Sequence, residues 1–222
     1  MGADVPKALV AVHGLSLVAH ALVASAQCRG VTEVVVVGPP DHLDQVGDSL
    51  ADTLGSLGDR VSVRVVAGGL NRSGSVARGL AGLSADVGIV LVHDAARAFA
   101  PVEVFDRVVT HVRAGHSAVI PVLPVVDTIT SVDAQGRVAM SLSRSQLRVV
   151  QTPQGFLRET LEHAHGTPGG GGTSGEVTDD AGMVERVGGT VSTVAGDLAS
   201  VKITTAHDLK IAEVISRAAV PQ

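Results

Sequence analysis

The stretch at 90–97 has residue types that suit ligand chemistry. It reads Val-Leu-Val-His-Asp-Ala-Ala-Arg, so that an apolar run ends in an acid and, three residues later, a cation. In open α/β sheets, ligands bind outside the carboxyl ends of the strands, which places Asp94 and Arg97 where small-molecule chemistry is expected. A strand followed by a capped turn also explains this segment, so on its own it leaves both interpretations open.

A second candidate group is the lysine of the short apolar segment Val-Lys-Ile-Thr at 201–204, for which we predict a strand. Lysine is seldom fully buried without a partner, so we expect the ammonium group of Lys202 to emerge where an anion meets it. Lysines are scarce in this chain, whereas arginines are common. The lysines are Lys7, Lys202 and Lys210.

The composition predicts one compact domain covering 1–222. The chain has 222 residues, of which 45% are hydrophobic, and this suits a single α/β domain with a buried core. It contains no Trp or Tyr and only three Phe, which argues against stacking platforms for single-stranded nucleic acid. The net charge of −5 argues against binding a phosphate backbone. We therefore expect no nucleic-acid partner.

The sequence also predicts a cytoplasmic protein without a membrane span. Cys28 is the one cysteine, so neither an intramolecular disulfide nor a cysteine-based metal site is possible, in keeping with a reducing compartment. An apolar stretch follows Lys7, as in a secretory signal, but His13, Gly14 and His20 interrupt it, and its apolar spacing predicts an amphipathic helix. No stretch approaches the roughly 20 apolar residues of a membrane span.

Hydrophobic periodicity predicts alternating strands and helices. The predicted strands are 31–37, 60–66, 87–93 and 117–122, and the predicted helices are 41–50, 74–83 and 101–113. This alternation indicates an α/β fold with a doubly wound, mostly parallel, Rossmann-like sheet and right-handed crossovers. Further on, we predict a strand breaking into a helix at 149–156 and a helix near 178–187. Thr178 is the predicted N-cap of that helix, and Asp179 and Asp180 occupy its first turn, a capping role that alone accounts for both acids.

Two regions interrupt the alternation. In the segment at about 125–149, runs at 127–132 and 137–140 flank the turn Asp133-Ala134-Gln135-Gly136, which predicts a hairpin. An isolated hairpin is marginal in water, so we expect it to be a protruding dimerisation arm that packs on a second subunit. The glycine-rich stretch at 166–175 predicts a mobile surface loop.

Five ordered motifs resemble those of the 2-C-methyl-D-erythritol 4-phosphate cytidylyltransferase family, and the resemblance runs from about residue 5 to 215. The motifs lie at 67–76, 90–97, 152–154, 178–180 and 202–204. The resemblance implies a single nucleotidyltransferase domain that converts CTP and methylerythritol phosphate to CDP-methylerythritol and pyrophosphate, in non-mevalonate isoprenoid biosynthesis. Two alternatives stay open: a cytidylyltransferase for another polyol phosphate, such as ribitol phosphate, and a non-catalytic nucleotide-binding homologue. A nicotinamide-binding protein is disfavoured because no Gly-x-Gly-x-x-Gly follows a predicted strand.

The resemblance also implies roles for the nucleotide site. Lys7 is similar to the family's lysine that contacts the triphosphate, and Lys202 to the lysine that stabilises the attacked α-phosphate. Asp94 matches the acid beside the ribose and the metal-bound phosphates, which makes Mg²⁺ the expected cofactor and Asp94 its ligand. Gly69 and Ser75 match positions that meet the cytosine.

For the polyol phosphate, the resemblance implies a site built from two subunits. Its expected residues are Arg97, Thr128, Arg144 and Thr152, with Thr128 and Arg144 lent by the partner's arm in a homodimer. From the sequence alone, a solvated position on the arm is the favoured interpretation of Arg144. The chain departs from the family at Ser143 and Thr130, where an acid and a lysine are usual.

The largest departure precedes Lys7. Family members have a buried strand and then a glycine-rich loop whose backbone amides wrap the triphosphate, and both are absent from this chain. Such loops form an anion cradle that lysines alone cannot replace. We therefore expect the natural product to be longer by roughly 20 residues, about what one strand and loop require.

Overall fold

A computed structural model describes residues 6–166 and 179–218. Within them, most predicted elements form near the expected positions. The strands are β1 (Ala11–Val12), β2 (Leu15–Ser16), β3 (Glu33–Gly38), β4 (Ser62–Ala67), β5 (Ile89–Val92), β6 (Ala118–Pro124), β7 (Thr130–Val132), β8 (Val138–Ser141), β9 (Arg148–Val150), β10 (Gln154–Leu157) and β11 (Ser192–Ala195). The α-helices are α1 (Leu17–Gln27), α2 (Leu43–Leu57), α3 (Arg72–Ala81), α4 (Val102–Arg113), α5 (Arg158–Gly166), α6 (Asp180–Arg186) and α7 (Ala206–Ala218).

The predicted α/β class is confirmed, with more antiparallel pairing than the alternation indicated. The main sheet has the order β11-β6-β10-β5, and β9 also pairs with β6. β11 runs parallel to β6, whereas β10 runs antiparallel to both β5 and β6. The reason is that β10 follows the arm rather than a crossover helix, and antiparallel neighbours need no helical crossover.

β3 and β4 form a separate parallel pair, so the sheet is interrupted between β3 and β5. A cavity of about 630 Å³ lies there, lined by residues of both strands and by apolar side chains of α1 and α3. Strands at an open edge carry unpaired N–H and C=O groups. This gap lies beside the end of β5, where Asp94 is found.

Helices cover the main sheet and bury its apolar side chains. On one face, α4 contributes Val108 and Val112, which pack with Val119 of β6 and Val194 of β11. Elsewhere, the fully buried Phe156 of β10 packs with residues of α5 and α6. Because few aromatics are available, Val, Leu and Ala fill most of the core, as the composition requires.

The arm at about 125–149 contains the antiparallel pair β7–β8. Its apolar residues are exposed: Val126, Val132, Val138 and Met140 are 57–76% accessible. Contiguous exposed apolar patches mark interaction sites. The predicted hairpin is thus confirmed, whereas the dimer that it is expected to form stays a prediction.

Two predicted elements differ in the structure. The segment at 149–156 forms two strands, β9 and β10, and the helix begins only at Arg158. No strand forms at 201–204; instead, a 3-10 turn (Leu198–Ser200) leads into irregular chain that is held by the Ile203 N–H donating to Ala96 O at 2.8 Å. The strand of this region is β11, which the hydrophobic pattern did not reveal.

Thr178 and most of the predicted loop at 166–175 lie outside the described residues. The cap of α6 is the Asp179 side chain, which accepts a hydrogen bond from the Gly182 N–H at 2.9 Å. Among the helices described, none is long and apolar enough to cross a membrane.

Candidate functional site

Asp94 is the central residue of the site. β5 ends two residues earlier, and a 3-10 turn (Ala95–Arg97) follows, in which the Arg97 N–H donates to Asp94 O at 2.9 Å. The Lys202 ammonium donates to Asp94 Oδ2 at 2.9 Å, although the two residues are far apart in sequence. The lysine side chain is 48% exposed and the aspartate 19%, and Asp94 also lines the cavity. The expectation that Lys202 emerges beside an anionic group is therefore confirmed, despite the missing strand.

Asp94 is ionised in this setting. Burial acts to raise the pKa of the carboxyl, but the hydrogen bond and charge of Lys202, with the charges of Arg72 and Arg97, outweigh it and lower that pKa. The carboxylate can therefore accept a cation or a hydrogen bond throughout the neutral pH range.

Thr152 contacts Asp94 through a hydrogen bond from the backbone N–H of Asp94. Its buried hydroxyl accepts a hydrogen bond from the Asp94 N–H at 3.0 Å. The same hydroxyl lies 2.9 Å from Nδ1 of His93, a partly buried residue whose Nε2 atom is inaccessible to solvent and whose ring packs against Phe105. Burial lowers the pKa of His93 to about 4, so the imidazole is neutral. Two segments that are distant in sequence are thereby locked together at the site.

Arg97 lies on the other side of the same turn. Its guanidinium donates to Ser200 O at 2.7 Å and to Val150 O at 3.1 Å. Burial lowers the pKa of Arg97 and the charge of Asp94 opposes this, but an arginine stays protonated in either case. Arg97 thus ties the end of β9 to the segment that carries Lys202, and brings a positive charge close to Asp94.

Gly69 and Ser75 form a tight loop at the beginning of α3. The Gly69 N–H donates to Ser75 Oγ at 3.1 Å, while Asn71 caps the helix by accepting from the Gly74 N–H at 2.8 Å. A Cβ on Gly69 would lie 2.6 Å from the carbonyl carbon of Gly74, so only glycine fits without a shift of the backbone. Ser75 lines the same cavity as Asp94.

Lys7 joins the site through its contact with the segment after Lys202. Its ammonium donates to Thr204 O at 3.0 Å from a short 3-10 turn (Lys7–Leu9). The two lysines therefore belong to adjoining segments, and their expected roles toward the triphosphate and the α-phosphate stay predictions.

Arg72, Asp180 and His165 were not predicted as site residues. The Arg72 guanidinium donates to Asp180 Oδ2 at 2.7 Å and has another nitrogen 3.8 Å from Asp94 Oδ1. The other oxygen of Asp180 lies 3.0 Å from His165 Nε2. One signal was available in the sequence, because a cation in the first turn of a helix opposes the helix dipole and so requires a partner.

Thr128 and Arg144 lie on the exposed arm, apart from this cluster. The Arg144 guanidinium donates to Val126 O within the arm at 2.6 Å. Among the described residues, no hydrogen bond or ion pair joins either of them to Asp94, Lys202 or Thr152. Their expected role requires a second copy of the chain and stays a prediction.

The site combines one ionised carboxylate, several cations and a loop with a helix N-terminus beside a cavity. Such an arrangement suits a polyanionic ligand, because helix N-termini and cations stabilise phosphate groups. The described residues contain no cluster of three or more His, Cys, Asp or Glu side chains that would hold a metal without a ligand's help.

Comparison with known proteins identifies the family. The family model for IspD, 2-C-methyl-D-erythritol 4-phosphate cytidylyltransferase, matches residues 1–218. An enzyme of that name from Saccharopolyspora erythraea is 47% identical over 218 residues, covering 97% of this chain and 92% of the relative. One from Streptomyces coelicolor is 44% identical, covering 97% of this chain and 79% of the relative.

Solved structures agree with this result. The 2-C-methyl-D-erythritol 4-phosphate cytidylyltransferase of Thermus thermophilus superposes with a TM-score of 0.75 at 34% identity, covering 96% of this chain and 94% of the other. The 4-diphosphocytidyl-2C-methyl-D-erythritol synthase of Anaerococcus prevotii gives 0.83 at 25% identity, covering 95% and 93%. The chain belongs to the 2-C-methyl-D-erythritol 4-phosphate cytidylyltransferase family.

Proposed function

We propose that this chain transfers the cytidylyl group of CTP to 2-C-methyl-D-erythritol 4-phosphate and releases pyrophosphate, as a step of non-mevalonate isoprenoid biosynthesis. The observation that carries the proposal is the ion pair of Lys202 with Asp94, beside Thr152 and next to the loop of Gly69. These groups bring a cation, a carboxylate and a helix N-terminus close together, which supports binding of a triphosphate and a phosphorylated acceptor.

In the reaction, a phosphate oxygen of the acceptor attacks the α-phosphorus of CTP. A new P–O bond forms, the bond from the α-phosphorus to the bridging oxygen breaks, and pyrophosphate leaves. Negative charge increases on the phosphoryl oxygens and the leaving group, so positioned cations accelerate the step. On binding of CTP, Lys202 would exchange its partner Asp94 for the α-phosphate, and Lys7 would contact the leaving phosphates. Gly69 and Ser75 would contact the cytosine.

Asp94 is the group that would hold Mg²⁺. Mg²⁺ keeps several waters and is bound through one or two carboxylates together with substrate phosphates, so a single ionised carboxylate at the cavity rim is sufficient. When bound, the ion would neutralise charge on the phosphates. The Asp94 carboxylate would be available for this role once Lys202 turned to the nucleotide.

The acceptor subsite is proposed to form from Arg97 and Thr152 of one subunit and Thr128 and Arg144 of its partner. The exposed apolar side chains of the arm support a homodimer, because an isolated hairpin needs a surface to pack against. To test this, aspartate can be introduced at Val138 and Met140, with the exposed Val214 of α7 as a matched control. We expect sedimentation equilibrium to give the mass of a dimer for the parent and the Val214→Asp control, and of a monomer for the arm variant. A dimeric arm variant would refute the role of the arm.

An additional strand between β3 and β5 is also proposed. Protein interiors are close-packed, so an apolar gap of about 630 Å³ between two open strand edges is suited to one more strand that pairs with both. A loop after such a strand would reach the site at the carboxyl end of β5, where it would add backbone N–H donors for the triphosphate. A cytoplasmic location is proposed on the basis of the buried, free Cys28.

The decisive experiment measures pyrophosphate release from CTP and Mg²⁺ with either methylerythritol phosphate or ribitol phosphate. This chain is compared with a version that is extended into its upstream coding region. Turnover of methylerythritol phosphate, at least by the extended version, supports the proposal. Turnover of ribitol phosphate alone would favour the other polyol. Release with neither acceptor would favour a non-catalytic nucleotide-binding homologue.

A further inference from the structure

Asp180 is a buried charge that the proposed reaction does not use. Its side chain has no solvent exposure, yet each carboxylate oxygen has a partner, Arg72 at 2.7 Å and His165 at 3.0 Å. Asp180 lies in the first turn of α6, where a negative charge is favourable, but this position does not require complete burial, and the N-cap itself is Asp179. Burial of an ion pair contributes little net stability, since desolvation offsets much of the attraction. We therefore interpret the burial of Asp180 as a contribution to the site around Asp94.

Arg72 connects this buried carboxylate to Asp94. One terminal nitrogen of its guanidinium is bound to Asp180, and the other is 3.8 Å from Asp94 Oδ1. Because the guanidinium is planar and rigid, anchoring one nitrogen fixes the direction of the other. The two oxygens of Asp94 therefore face two different cations: Oδ2 faces Lys202 at hydrogen-bonding distance, and Oδ1 faces Arg72 at a longer distance.

We propose that Asp180 is a positioning residue, which anchors Arg72 so that Arg72 holds Asp94 in place when Lys202 leaves it for the nucleotide. The inference rests on the proposed function, since it assigns Asp94 and Lys202 to the triphosphate site. His165 completes the arrangement by occupying the second oxygen of Asp180, which keeps the carboxylate from rotating away from Arg72.

The fixed position of Arg72 matters because Asp94 has to lose its partner Lys202 during the proposed reaction. In the free protein, Lys202 compensates the charge of Asp94. After Lys202 moves, a fixed Arg72 would keep a positive charge beside Oδ1, and the carboxylate would stay in position to hold a metal ion. An unanchored Arg72 would be free to turn toward the triphosphate and shift the carboxylate. A displacement of about 1 Å at a reacting group costs on the order of 100-fold in rate.

The test compares Asp180→Asn, which keeps the shape of the side chain but removes its charge, with Glu185→Gln. The control removes one charge from an exposed position of the same helix. For each protein, kcat and KM are measured by pyrophosphate release, the affinity for Mg²⁺–CTP is measured by titration calorimetry, and the folded fraction is measured by circular dichroism. A crystal structure of Asp180→Asn then locates the Arg72 guanidinium. Arg72→Lys, alone and combined with Asp180→Asn, completes a double-mutant cycle.

We expect Asp180→Asn to lower kcat about 10- to 100-fold with little change in the affinity for Mg²⁺–CTP, and the crystal structure to show Arg72 turned away from Asp94. The double variant should be no worse than Arg72→Lys, because the two residues act as a unit. An unchanged kcat per folded molecule, additive effects in the cycle, or an Arg72 that stays beside Asp94 would overturn the inference. If the parent protein turns over neither acceptor, the proposed function fails, while the crystal structure still decides whether Asp180 places Arg72.

Discussion

Acidification from neutral pH should destabilise this protein through His93. Burial lowers the pKa of His93 from 6.5 to about 4, so the unfolded chain binds a proton at this residue that the folded chain rejects. At high pH neither state binds this proton, so the contribution of His93 to the free energy of unfolding is intact above pH 6.5. As the pH falls toward about 4, the unfolded chain gains the proton and the contribution is lost. Each unit of pKa difference is worth about 1.4 kcal/mol, which gives a total loss of roughly 3 kcal/mol.

The assay is urea unfolding at a series of pH values between about pH 7 and pH 4.5. His93→Asn removes the titrating group, and His207→Asn is a matched control because it removes an exposed histidine. We expect the free energy of unfolding of the parent and the control to fall together across this range, and that of His93→Asn to fall by about 2 kcal/mol less. Asp94, Glu33 and Asp208 have lowered pKa values, so their contributions are lost mainly at lower pH. Equal pH dependence in His93→Asn and the parent would refute the conclusion that His93 is buried in its neutral form.

Three further predictions concern single residues. Gly155→Ala should lower the free energy of unfolding in urea by about 1–3 kcal/mol, because the new Cβ would clash with the buried Val108 of α4. A loss below about 0.5 kcal/mol would show that α4 moves away from β10 at little cost. Gly69→Ala should weaken CTP binding at least about tenfold in calorimetry, since the new Cβ would clash with the backbone of Gly74 and displace the loop. An unchanged affinity would show that this loop does not bind the nucleotide. Lys202→Ala should lower kcat by about 100- to 1,000-fold in the pyrophosphate assay, whereas retention of more than a tenth of the rate would assign the charge stabilisation to another group.

Local sequence signals predicted the elements of this fold well where one segment determines its own conformation. The apolar run before Asp94 forms β5, and in the turn that follows it the Arg97 N–H donates to the backbone carbonyl of Asp94. The helical spacing after Lys7 forms α1, which is capped by Ser16. These features depend on periodicity and capping within about ten residues, which a single sequence displays.

Other features depend on segments that meet only in the folded chain. Lys202 was expected on a strand, but irregular chain carries it, held by bonds from Ile203 to Ala96 and from Arg97 to Ser200. The apolar alternation of 201–204 resembles a strand because one side chain is buried and its neighbours are exposed, which an irregular segment also produces. β10 was missed as a separate strand because its four residues, Gln-Gly-Phe-Leu, are too few and too mixed to show a period.

The polar bonds between distant segments also explain why the site is organised around Asp94 rather than around one loop. The Asp94 N–H binds the Thr152 hydroxyl, which precedes β10, and its carboxylate binds Lys202, which follows β11. Each of these bonds spans two segments that no short sequence motif connects. Removal of one partner would therefore weaken the contact between two segments as well as change a single side chain. For this reason, substitutions at Thr152 are expected to alter the placement of Asp94 as much as acceptor binding itself.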